Sequence, residues 1–129
     1  MESIRVPIRV LIADGSDAVR HSLRILVDRE PDMTVVGEAN DGDSALDEAL
    51  RLRPDVALLD IQLSKTDGIE VTRLIRQRLP DTRVIVMAVY DSRWLEALMA
   101  GASHFLLKDS SRLHLLKTVR NTASEMSRH

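Results

Sequence analysis

The stretch Val56-Ala57-Leu58-Leu59-Asp60, continuing as Ile61-Gln62-Leu63-Ser64-Lys65-Thr66-Asp67-Gly68, decides the fold. Four apolar residues in a row are too few for an ordinary helix and read as a strand buried on both faces. The run ends on a carboxylate. Val10-Leu11-Ile12-Ala13-Asp14 repeats the pattern near the N-terminus. Two buried strands that each run into an aspartate place charge at the edge of a sheet.

The punctuation around these runs fixes the other elements. Pro-Asp recurs at 31–32, 54–55 and 80–81, each time after helical spacing and before an apolar run. Proline cannot continue a helix and pushes its predecessor out of the α region, so each pair is a stop followed by a strand. Gly101 is a further stop, at a helix C-terminus. Between these stops the pattern predicts strands over residues 8–13, 33–39, 56–59, 83–88 and 104–107. It predicts helices over 17–29, 43–53, 69–79, 92–100 and 111–123. Ser16 or Asp17 caps the first helix, and Val19, Leu23, Leu26 and Val27 share its inner face. Leu113, Leu116 and Val119 do the same in the last helix. Met33, Met87 and Met99 read as core. Arg73, Arg76 and Arg78 read as a solvated face. The core spans about residues 8–123, and the polar end at 124–129 is expected to fray or begin a linker.

Strict strand-helix alternation calls for a parallel sheet covered by helices on both faces. The mixed run Met33-Thr34-Val35-Val36-Gly37-Glu38-Ala39 belongs at an edge. Right-handed crossovers then favour a flavodoxin-like (βα)5 three-layer α/β sandwich, strand order 2-1-3-4-5.

Composition bounds the function. The 129 residues fit one domain, with 44% apolar and 29% charged residues, as in soluble globular proteins. A net charge of −2 without a basic block argues against nucleic-acid binding by this chain. The absence of cysteine excludes disulfides and thiolate chemistry. No apolar run approaches the roughly 18 residues of a membrane span and no signal peptide is visible, so a cytoplasmic location without membrane contact is expected. His21, His104, His114 and His129 lack metal-ligand spacing. The three aromatics, Tyr90, Trp94 and Phe105, lie close together, either as core at one edge or as a partner-facing surface.

In sheets of this order the functional crevice lies beyond the carboxyl ends of strands one and three. Asp14 and Asp60 meet there, and Lys108 follows strand five. Two carboxylates about 4 Å apart repel by roughly 4 kcal/mol at an effective dielectric near 20. Such a pair expects a cation, and oxygen ligands with open positions suit Mg²⁺. With Mg²⁺ and a lysine beside it, an aspartate can accept a phosphoryl group.

At these residues the chain resembles the receiver domain of bacterial two-component response regulators. The resemblance rests on VLIAD ending at Asp14, PDVALLDI around Asp60, TDGIE at 66–70 and GASHFLLKD around Lys108. VVGEANDG and GASHFLLKD are similar to the subfamily that usually carries a LuxR-type helix-turn-helix output domain. The resemblance implies a signalling domain, not an enzyme beyond self-phosphorylation from a phosphodonor. It implies Asp60 as phosphoacceptor and a histidine kinase as donor. Asp14, Asp60 and the backbone carbonyl of Gln62 would hold Mg²⁺, Lys108 would bind the phosphoryl oxygens, and Phe105 would be the aromatic switch. DNA would be reached only through an output domain outside this chain.

The departures point the other way. The family carries two adjacent acids after strand one, where this chain has Asp14-Gly15. Even an outer-shell partner of a metal is worth 10–100-fold in affinity, so losing a direct ligand should weaken or abolish Mg²⁺ binding. Asp17 is expected to start the helix and point elsewhere. Ala88 stands where the family has the switch Thr or Ser, removing a hydrogen bond to charge worth roughly 1.5–3 kcal/mol. Val89 is bulkier than usual and is expected to narrow access to Asp60. Ser64 replaces a loop proline, His104 replaces a glycine, and the 88–101 segment is shorter than the family pattern. An atypical receiver is therefore expected. The alternative is a phosphorylation-independent interaction or dimerisation module on the same fold, with Trp94, His104 and Phe105 as candidate interface. A flavin-binding reading fails because DGSDAV would repel a phosphate, and an aspartyl phosphatase would need a cap domain this length cannot supply.

Overall fold

The computed structural model describes residues 6–125. Five strands, β1 (Ile8–Ala13), β2 (Met33–Ala39), β3 (Val56–Asp60), β4 (Arg83–Ala88) and β5 (His104–Leu107), form one parallel sheet of order β2-β1-β3-β4-β5. They alternate with α1 (Asp17–Asp28), α2 (Gly42–Leu52), α3 (Gly68–Arg78), α4 (Trp94–Met99) and α5 (Arg112–Glu125). This is the expected architecture, with β2 at the edge.

Alternation along the strands divides the core in two. Leu11, Ala13, Ala57, Leu59, Val84, Val86 and Ala88 point into one apolar cluster with Ala45, Ala49, Val71, Ile75 and Ala97 of α2, α3 and α4. Val10, Ile12, Val56, Leu58, Ile85, Met87 and Leu106 point into the other, with Val27 of α1 and Leu115, Leu116 and Val119 of α5. Period-two counting carries Asp14, Asp60 and Lys108 onto the second side, that of α1 and α5. Ala88 falls on the first.

Helix starts follow local chemistry. The Ser16 side chain accepts from the Val19 N–H at 3.2 Å, so Ser16 is the α1 cap. Asp41 caps α2 through the Ser44 N–H at 2.8 Å, and Asp67 caps α3 through the Ile69 N–H at 3.3 Å. Each cap satisfies a helix-end donor that would otherwise lack a partner.

Several expectations need correction. Met33 and Met87 are buried, but Met99 is 80% exposed. Leu113 is also 80% exposed, and the buried stripe of α5 runs instead through Leu115, Leu116, Thr118, Val119 and Thr122. Arg73 and Arg78 are exposed, but Arg76 donates to the carbonyls of Pro80 and Thr82 at 3.0 and 2.7 Å. Its side chain passes under Gly101, where an added Cβ would lie 2.6 Å from Arg76 Cγ. Ser124 and Glu125, expected to fray, belong to α5, and residues 126–129 of that polar end lie outside the described residues.

Candidate functional site

Strand register builds the site. Ala13 pairs with Leu59 and Ala88 with Leu107, so Asp14, Asp60 and Lys108 emerge at one level of the sheet edge. Backbone bonds hold that level: Asp14 N–H to Ala39 O at 3.1 Å, Ile61 N–H to Met87 O at 2.8 Å, and Lys108 N–H to Ala88 O at 2.7 Å. Asp60 itself is the last paired residue of β3, opposite Met87, one residue beyond the expected strand end.

The three side chains meet. The Lys108 ammonium lies 2.6 Å from Asp14 Oδ2 and 3.2 Å from Asp60 Oδ2. The remaining oxygens are also engaged: Asp14 Oδ1 accepts from the Ser16 N–H at 2.9 Å, and Asp60 Oδ1 from the Gln62 N–H at 3.1 Å. Asp14 is buried, whereas the Asp60 side chain keeps 12% of its surface exposed. Burial pushes the Asp60 carboxyl above the usual carboxylate range. The Gln62 N–H opposes this, the Asp14 charge adds to it, and Lys108 offsets part of it. Burial also works against the Lys108 ammonium, but its bonds and charge interactions with the two aspartates outweigh it and hold its pKa above the usual lysine value. The basin contains one ammonium and two carboxylates.

Close backbone approaches fix the loop that carries Asp60. A Cβ at Gly68 would lie 2.3 Å from Asp60 O, and one at Gly42 would lie 1.8 Å from Thr66 O. The Gly42 N–H donates to Ser64 O at 2.9 Å, so Ser64, exposed, holds the loop through its carbonyl.

The other residues singled out from the sequence fall as follows. Gly15 is exposed, and a Cβ there would meet only Asn40 O at 3.7 Å. Asp17 turns out to solvent and pairs with Arg20, as expected. Ala88 is buried in the α3 and α4 cluster, with half-buried Phe105 packed against the same cluster. Val89 is 62% exposed, so most of it faces solvent instead of roofing Asp60. His104 Nε2 lies 3.2 Å from Glu125 Oε1, tying β5 to the end of α5. Trp94, 49% exposed, borders a shallow groove with Leu98, His104 and Phe105.

Two arginines carry roles that sequence reasoning missed. Arg20 donates to the Asp14 main-chain carbonyl at 2.7 Å from beneath the basin. Arg93 reaches both Asp67 oxygens at 3.2 and 3.1 Å, joining the β3-α3 loop to the start of α4, and also binds Glu96. Nothing in their local spacing distinguishes them from surface arginines.

The oxygens of Asp14, Asp60 and the Gln62 carbonyl have the hard-donor chemistry of a Mg²⁺ site, which can rest on one or two carboxylates and waters. The donors fit the ion but form a thin set. Among the described residues no group of three or more His, Cys, Asp or Glu converges to hold a metal.

The sequence matches the family described as "Response regulator receiver domain" over residues 10–120. It is 36% identical over 118 residues to the transcriptional regulatory protein YxjL of Bacillus subtilis (strain 168), covering 90% of this chain and 54% of that one. It is 39% identical over 123 residues to a protein-glutamate methylesterase/protein-glutamine glutaminase of Thermotoga maritima, covering 92% of this chain and 35% of that one. A two-component response regulator of the LuxR family from Aurantimonas sp. SI85-9A1 superposes with a TM-score of 0.87 at 30% identity, over 93% of this chain and 87% of that one.

The chain belongs to the receiver-domain family of two-component response regulators. It spans about half the length of the transcriptional regulators it matches. Receiver domains are mainly signalling modules, are phosphorylated by histidine kinases and generally bind Mg²⁺ at the phosphorylation site. Among the described residues no helix is long and apolar enough to cross a membrane.

Proposed function

We propose that this chain is an atypical receiver in which Asp60 remains the phosphoacceptor while metal binding and read-out are weakened. The observation that carries the reading is the Lys108 ammonium bridging Asp14 and Asp60 at one level of the sheet edge. An Asp60 oxygen attacks phosphorus, the bond from phosphorus to the donor's leaving group breaks, and an acyl phosphate forms on Asp60. Lys108 moves from carboxylate to phosphoryl oxygen, holding the new anion. Asp14, Asp60 and the Gln62 carbonyl would hold Mg²⁺, which when bound offsets charge on the transferred group. With Gly15 in place of a second acid, that ion binds weakly. With Ala88 in place of a hydroxyl, the phosphoryl group has no side-chain link to Phe105.

The donor is a histidine kinase in the cytoplasm. The output is transcription, exerted through a DNA-binding domain outside this chain. A second reading, a phosphorylation-independent interaction or homodimerisation module, is favoured by the exposed apolar side chains of Trp94, Leu95, Leu98 and Met99 on α4. Intact-protein mass after incubation with acetyl phosphate, with and without Mg²⁺, separates the two. A phosphoryl adduct that is lost in Asp60→Asn and needs high Mg²⁺ supports the first reading. No adduct on the folded protein at any Mg²⁺ concentration leaves the second.

A further inference from the structure

On the α1 and α5 side of the sheet, next to the basin and sharing Lys108 with it, lies a cavity of about 380 Å³. This falls within the roughly 300–1,000 Å³ usual for small-molecule sites. About half of its lining is apolar, from Leu23 and Leu26 of α1, Met87 of β4, Leu106 of β5 and Leu115 of α5, and the rest is polar, including Ser22 and Ser110. Every charged side chain in its lining is a cation: Arg29, Arg112 and Lys108. Arg29 and Arg112 are exposed and have no ion-pair partner among the described residues, a state shared by Arg53 and Arg78, which do not line this cavity, whereas Arg20, Arg24, Arg51, Arg73, Arg93 and Arg120 are paired. The acids flanking Arg29 in sequence are already committed, Asp28 to Arg24 and Glu30 to Arg120.

A pocket with an apolar floor and a rim whose free charges, Arg29 and Arg112, are both cationic complements one ligand chemistry: a small amphipathic anion, with a hydrocarbon or aromatic body and a single carboxylate or sulfonate head. We infer that the groove between α1 and α5 binds such a molecule, its body on Leu23, Leu26, Leu106 and Leu115 and its head on Arg29 and Arg112. Lys108 is shared between this groove and the Asp14-Asp60 basin, so an occupant packs beside the residue that bridges both aspartates. That contact gives a chemical input next to Asp60 which needs neither Mg²⁺ nor a phosphodonor. The inference stands whether or not Asp60 is phosphorylated.

Decanoate is the probe, titrated into the protein by calorimetry and by amide chemical shifts, with decanol and acetate as controls. Saturable one-to-one binding is expected, with shifts centred on Leu23, Leu26, Leu106 and Lys108. Decanol lacks the charge and acetate the body, so each should bind at least about ten-fold more weakly, as should the Arg29→Glu/Arg112→Glu double variant. Ile25→Glu, which places a carboxylate at a rim position 39% exposed, is a second disruption that does not depend on the arginines. Absence of saturation overturns the inference. So does undiminished binding in both folded variants, equal binding of decanol, or shifts confined to the Trp94 groove. Sedimentation velocity covers the other occupant: a dimer dissociated by the double variant, in a protein that ignores decanoate, would assign the groove to a second copy of this chain.

Discussion

The two sides of the sheet's carboxyl edge differ in how firmly they are built. On the α1 and α5 side, all four oxygens of Asp14 and Asp60 are bonded, two to the Lys108 ammonium and one each to the Ser16 and Gln62 N–H groups. On the α4 side, a six-residue helix without a side-chain cap leaves Trp94, Leu95, Leu98 and Met99 exposed, and Ala88 offers no hydroxyl. At the basin, ion pairs and backbone N–H groups fix every carboxylate oxygen. On the α4 side the ion pairs of Arg93 with Asp67 and Glu96 anchor the start of the helix, while its outer apolar face stays exposed.

Removing the shared cation should break this contrast most severely. Lys108→Met strands two carboxylates in a partly buried basin and should cost about 3 kcal/mol in urea unfolding at neutral pH. A loss below about 0.5 kcal/mol, the level of an ordinary surface change, would mean the basin is not held by Lys108.

Gly15→Asp should sharpen the contrast. The position is open, so the variant should fold with near-wild-type stability. It should raise Mg²⁺ affinity by about 10-fold or more, read by calorimetry. Unchanged affinity would place the weakness elsewhere than at Gly15.

Asp60→Asn should stabilise the fold at neutral pH by about 1 kcal/mol. The sign follows from the raised carboxyl of Asp60. As pH rises through the acid range, the unfolded chain gives up this proton before the folded protein does, so stability falls across that window. The penalty is absent below the ordinary aspartate pKa and complete above the raised one. The gain in the Asn variant should therefore vanish in acid and level off toward neutrality. A gain independent of pH would contradict the charge explanation.

Trp94→Ala should have the smallest effect on the fold, within about 0.5 kcal/mol, because the side chain is half exposed. If the α4 and β5 face joins two copies, the same change should dissociate the dimer in sedimentation. A dimer that persists rules that face out.

The sheet was legible because its inner strands are doubly covered and read as unbroken apolar runs between Pro-Asp stops. The meeting of Asp14, Asp60 and Lys108 follows from strand order, since Asp14 and Lys108 come directly after a strand and Asp60 is the last residue of one. Side-chain faces on the helices were less legible. Met99 reads as core by residue type, yet α4 has under two turns and only Ala97 is buried on it. Leu113 reads as inward by spacing, but burial on α5 begins at Leu115. Arg20, Arg76 and Arg93 act on carbonyls or carboxylates that are distant in space until the loops close, and sequence spacing carries no sign of that.

The clustering of the aromatics also gives the molecule a built-in optical gauge. Trp94 is the sole tryptophan, and it stands on the α4 side, away from the basin and the α1-α5 groove. Its emission, excited selectively over Tyr90, reports on that side alone without any label. A change in colour or intensity when something binds at Asp60 or beside Lys108 would be light carried across the sheet, and constant emission would time-stamp the two sides as independent.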